Sequence, residues 1–151
     1  MAVDLRWVRE VCPLVRLRPL PAGPPWLRGL FDYHGQLLPA VDASVLLGGP
    51  EIGQSIGARI LLLHGPSGSG VDTPLATFGL LVDGVDGVVD AGTEAWTTRQ
   101  GLPGMPFIGE VTQGDPSGVL VLEPSRLASM HADLLQGPAV LPVTHPGRPT
   151  A

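Results

Sequence analysis

Four histidines, one cysteine and fourteen acidic side chains are the groups in this 151-residue chain with the means to do chemistry. His34, His64, His131 and His145 are scattered, and none has a partner at metal-ligand spacing. Cys12 stands alone, so an intramolecular disulfide is impossible, and it reads as a small buried apolar residue. Asp83, Asp86 and Asp90 suggest calcium or a carboxylate pair. A calcium loop, however, is a denser run of oxygen donors closing on a glutamate. The Gly and Val residues between these acids suit a strand and turn whose carboxylates cap backbone donors. Residues 65–70 (GPSGSG) imitate a phosphate loop but lack its Lys-Ser/Thr and do not open a helix, so they read as a flexible turn. No Gly-x-Ser-x-Gly elbow is present. These residues predict no enzyme, no catalytic group, no metal and no cofactor.

Charge narrows the partners. The formal net charge is -5, and all nine basic residues are Arg, with only Arg6, Arg9, Arg16 and Arg18 near one another in sequence. Nucleic acid would call for a basic total and a denser basic stripe, so it is set aside. The absence of Lys reads first as coding bias, ahead of selection for Arg's forked donors. No signal-peptide pattern opens the chain and no apolar run reaches membrane-spanning length, so a cytoplasmic protein without membrane insertion is expected.

The elements that would position a binding surface are short. Hydrophobic residues make up 44% of the chain, while Gly (21) and Pro (17) fall between the apolar runs, a pattern of many strands and turns. Residues 2–11 should be a strand passing into a turn or short helical piece. Residues 13–25, with five prolines, should be an ordered link lying on the core through Leu14, Leu17 and Leu20. Residues 26–33 (WLRGLFDY) and 36–41 (QLLPAV) flank His34-Gly35 as a hairpin. Residues 43–47 should make one helical turn with Asp42 as N-cap and Gly48 as stop. Residues 58–63 (ARILLL) and 76–83 (ATFGLLVD) should be buried strands, the second continuing through Val85, Val88 and Val89. Residues 91–104 should be a long connection. Residues 106–112 and 118–122 should form a last hairpin, followed by a helix to about Leu135 with Leu127, Met130 and Leu134 on one face. Residues 136–151, with four prolines, should be a flexible tail.

The segments resemble the CheW-like domain in their order. The carrying motifs are Ala2-Val3-Asp4-Leu5 with Val8-Arg9-Glu10-Val11, the proline-rich link, Leu27-Arg28-Gly29-Leu30-Phe31-Asp32-Tyr33-His34-Gly35, Leu38-Pro39-Ala40-Val41-Asp42, and Phe78-Gly79-Leu80-Leu81-Val82-Asp83-Gly84-Val85. The resemblance spans about residues 2–135. It implies an all-β fold of two packed, SH3-like, five-stranded barrels with a short C-terminal helix. It also implies a non-catalytic adaptor of bacterial chemosensory signalling. Its implied partners are the signalling tip of a chemoreceptor and the regulatory domain of a CheA-type histidine kinase. Glu10 falls where the family has a receptor-contacting glutamate, and Gly29 and Gly79 match glycines at the family's binding surfaces.

Two departures qualify the resemblance. His34 stands where many family members carry Arg in an Arg-Gly turn; either the partner differs, or Tyr33 and His34 bind a similar surface by stacking and one hydrogen bond where Arg would use its fork. Family members also have a strand ahead of residues 2–5. Either the native protein starts upstream of Met1, or the missing pairing comes from another segment or chain. The alternatives are an adaptor of a non-motility pathway, such as surface sensing or cyclic-dinucleotide signalling, and a small-molecule-binding barrel. The last would need a large apolar pocket.

Overall fold

In the structure, a computed structural model, residues 1–64, 77–88, 96–98, 104–112 and 120–135 are described. Among these residues nine strands build two sheets. β1 (Ala2–Val3) leads through a 3-10 turn (Leu5–Trp7) into β2 (Val8–Pro13). β3 (Leu27–Tyr33), β4 (Gln36–Asp42), α1 (Ala43–Leu46), β5 (Arg59–His64) and β6 (Thr77–Val82) follow. β7 (Trp96–Thr98), β8 (Ile108–Thr112), β9 (Leu120–Leu122) and α2 (Pro124–Leu135) complete the described chain. One sheet has the order β2-β5-β6-β4-β3 and the other β1-β9-β8-β7.

The apolar runs in β5 and β6 exist because both faces of these strands are buried. Leu61, Leu63, Phe78, Leu80 and Val82 point into a core that also holds Phe107, Ile108, Leu122 and Leu127, and so joins the two sheets. Ile60, Leu62 and Leu81 point the opposite way, into a second core with Phe31, Leu38, Ala40, Ile52 and Ala58. Side chains alternate across a strand, so only a strand between two cores can be apolar at every position.

The link after β2 is ordered as its prolines require. Leu14 and Leu17 pack on the second core and Leu20 on the first. Arg18, held extended by the following Pro19, exchanges two backbone hydrogen bonds with Leu30 on the outer edge of β3, at 2.7 and 2.8 Å. The link thus covers an edge that would otherwise stand open.

The all-β expectation of two packed units with a short C-terminal helix holds: among the described residues the strands form sheets of five and four, neither closed by strand pairing. Three other expectations need correction. Residues 91–104 contain a strand, β7; three residues of Trp-Thr-Thr are too few for a period to show, although their types favour a strand. The strand ending at Val82 does not continue: residues 84–88 are irregular, and Val85 and Val88 are exposed. Gly84 and Gly87 interrupt that stretch, and Gly87 has a φ of 140°. Residues 2–3 are a strand of the second sheet, paired in parallel with β9, while residues 8–13 belong to the first sheet. Residues 65–76, Val89, Asp90 and the tail 136–151 lie outside the described residues.

Candidate functional site

The hairpin β3–β4 turns in two residues, His34 and Gly35, with φ values of 51° and 83°. Positive φ at both positions matches the right-handed twist of the strands, and histidine is among the few non-glycine residues that adopt it. Asp32 Oδ1 accepts from the Gly35 N–H at 2.8 Å and fixes the turn. His34 is therefore held out in solvent at the hairpin tip, its ring edge-on to Tyr33 with centroids 4.4 Å apart.

Tyr33 has the same strand parity as the buried Gly29 and Phe31, so its ring reaches the second core beside Cys12, Leu14 and Leu17. Its hydroxyl leaves the core and donates to Glu10 Oε2 at 2.6 Å. Glu10 lies on β2, just past a register shift between Val8 and Glu10 that re-aims the strand. The Tyr33 hydroxyl holds the exposed Glu10 carboxyl below its usual range, with a smaller share from the Cys12 thiol and His34. In return, Glu10 raises the Tyr33 phenol above its usual value. Cys12 is raised too, first by burial and then by Glu10, which keeps it a thiol and makes it a poor nucleophile.

Glu10, Tyr33 and His34 thus form one exposed cluster. Gly29 and Gly79 do not join it. Both are buried and flank Ala40, Gly29 opposite it on β3 and Gly79 opposite it on β6. A side chain at Gly29, whose φ is 140°, would run into the Arg18 carbonyl, and one at Gly79 would come within 2.6 Å of the Phe31 ring. Packing accounts for both glycines.

The sequence reading missed an ion pair at the end of the β3–β4 hairpin away from its tip. Asp42 was expected as the cap of α1, and its Oδ1 does accept from Ser44 and Val45 N–H. Its Oδ2 also accepts from Arg28 Nη1 at 2.7 Å and from the Ile52 N–H at 2.9 Å, in a position with no solvent exposure. The sequence signal was an Arg on one strand of the hairpin and an Asp at the end of the other. Without the register shift between Leu27 and Gly29 the two could not be matched.

Among the described residues, no three His, Cys, Asp or Glu side chains are grouped to hold a metal ion. His64 meets Thr77 across β5 and β6, and Asp83 and Asp86 are exposed. A groove of about 280 Å³ lies between the link and the β4–β5 connection, lined by Leu14, Arg16, Leu17, Arg28, Ile52, Gly53 and Gln54. Among the described residues no helix is long and apolar enough to cross a membrane.

Two sheets sharing a core, with an exposed polar cluster where one hairpin meets a neighbouring strand, define a small all-β module built to present surfaces. The sequence model of the CheW-like domain matches residues 1–132, and the chain belongs to that family, a family of scaffolds and adaptors. The fold is similar to the crystal structure of the scaffolding protein TtCheW from Thermoanaerobacter tengcongensis, with a TM-score of 0.63 and 20% identity over 80% of this chain and 74% of that one. No curated protein matches the sequence.

Proposed function

We propose that this chain is a non-catalytic adaptor that couples a chemoreceptor to a CheA-type histidine kinase in chemosensory signalling, working beside membrane-bound receptor arrays in the cytoplasm. The observation that carries this reading is the Glu10–Tyr33–His34 cluster. It places three candidate contact residues of a CheW-like chain on one exposed surface, although 23 positions separate Glu10 from Tyr33. In this reading Glu10, His34 and the ring of Tyr33 touch the receptor tip, while the Tyr33 hydroxyl is turned to Glu10. Gly29 and Gly79 keep the sheet beneath them thin enough for the link and Phe31 to close over it.

The test is to mix the chain with receptor-tip fragments and the kinase regulatory domain from the same organism. Binding in the micromolar range is expected, and no association with either at tens of micromolar would sink the proposal. Glu10→Arg should weaken receptor binding and leave the fold intact, because Glu10 is exposed and the substitution removes its hydrogen bond to the Tyr33 hydroxyl while the packing of the Tyr33 ring stays. His34 in place of the family's Arg supports a second reading, an adaptor of the same kind serving a non-motility output. Deleting the gene and scoring swimming against surface attachment separates the two.

A further inference from the structure

The edges of the first sheet, β2 and β3, are not paired with each other, and the seam between them is bridged by side chains. The link covers β3 at Arg18. Beyond that point, towards the hairpin tip, the bridge among the described residues is the Tyr33 hydroxyl on Glu10. Packing explains the ring, since Tyr33 sits with Cys12, Leu14 and Leu17 over the second core, but a phenylalanine would pack there equally well. The hydroxyl is the part that packing leaves unexplained. Among the described residues, its partner is the carboxylate proposed to meet the receptor.

We propose that Tyr33 is the positioning residue for Glu10: its hydroxyl fixes the carboxylate across the β2–β3 seam, so the receptor meets a preset acceptor instead of a freely rotating glutamate. This inference rests on the reading of Glu10 as a receptor contact. An exposed glutamate loses several rotamers when a partner grips it, and a side chain already held in place loses fewer, which raises affinity without adding a contact. Tyr33 takes one lone pair of Oε2 and the Cys12 thiol is a lesser partner, so the carboxylate keeps acceptor capacity that suits an N–H donor, whether ammonium, guanidinium or amide. The groups facing the bridge are Arg9, Glu10 and Cys12 on β2 and His34 at the hairpin tip.

Tyr33 is the chain's one tyrosine, so tyrosinate absorbance reports this hydroxyl alone. The whole chain should titrate above the ordinary tyrosine value of about 10, and Glu10→Gln should bring the midpoint back towards it. Tyr33→Phe, with folding checked by circular dichroism, should weaken binding of a receptor-tip fragment on the order of three- to tenfold. In a Glu10→Ala background, which leaves the hydroxyl no acceptor at this position, the same change should have no further effect. An ordinary midpoint in the parent chain would overturn the bridge whatever the binding data show. A raised midpoint with Tyr33→Phe binding as tightly as the parent, while Glu10→Gln binds more weakly, would overturn the positioning role. If neither substitution alters binding, Glu10 is not a receptor contact. The proposed contact surface then falls with the positioning role, and a raised midpoint still establishes the bridge.

Discussion

Single residues at the core of this protein are constrained by steric and electrostatic demands that can be separated by substitution. Gly79→Ala places a methyl group 2.6 Å from Phe31 Cε1 and 2.7 Å from Ile60 Cγ2, both inside the second core. Overpacking of this kind should cost about 1–3 kcal/mol in a urea titration. Gly29→Ala should cost more, because its methyl group meets the Arg18 backbone, which cannot rotate aside as a ring can. Asp42 makes a different demand. Asp42→Ala would leave Arg28 without its buried partner and strip the cap from α1, so a loss of about 3–5 kcal/mol is expected in the same titration. Glu51 is a poor substitute, since it sits 3.5 Å from Arg28 and is itself mostly exposed.

The β3–β4 hairpin depends on its two-residue turn. Gly35 has a φ of 83° and nothing within 4 Å of the place a side chain would occupy. Gly35→Ala should therefore cost about 1–2 kcal/mol through backbone strain alone, seen as a lower thermal midpoint with the core packing unchanged. The hairpin itself was legible in the sequence, as two apolar runs around a glycine. So were the proline-rich link, the capped turn after Asp42 and the last hairpin with its helix, because each follows from local backbone rules. β7 was not legible, being too short to show a period. The false extension past Val82 has the opposite cause: Val85 and Val88 look like strand residues, but no core lies beneath them.

Across the molecule, the bridge between the sheet edges should give stability a pH window. Glu10 and Asp4 are held below their usual carboxyl values, by Tyr33 and by Arg6 respectively. A depressed carboxyl stabilises the fold above its unfolded value, and that stability is lost as pH falls through the folded value. Tyr33 and Cys12 are raised, by Glu10 and by burial respectively, so their contribution is present below their unfolded values and is lost as pH rises through the folded ones. The urea midpoint should therefore be flat around neutral pH and fall on both sides. Glu10→Gln should flatten the acid limb and shift the alkaline limb down, and a profile unchanged by the substitution would contradict the bridge. All four groups are largely exposed or at the surface, so the changes should be small.

The sequence by itself determined the family, the alternation of short strands and turns, the buried strands β5 and β6, and the residues offered for contact. Those features are local, written in periodicity, in proline and glycine, and in motifs kept in order. The tertiary structure decided which of the candidate residues act together. Glu10 and Tyr33 lie on opposite edges of one sheet and meet because the sheet curls, while Gly29 and Gly79 are drawn inward by the link and by Phe31. Arg28 and Asp42 likewise become a pair through strand register, a long-range property that no local pattern encodes.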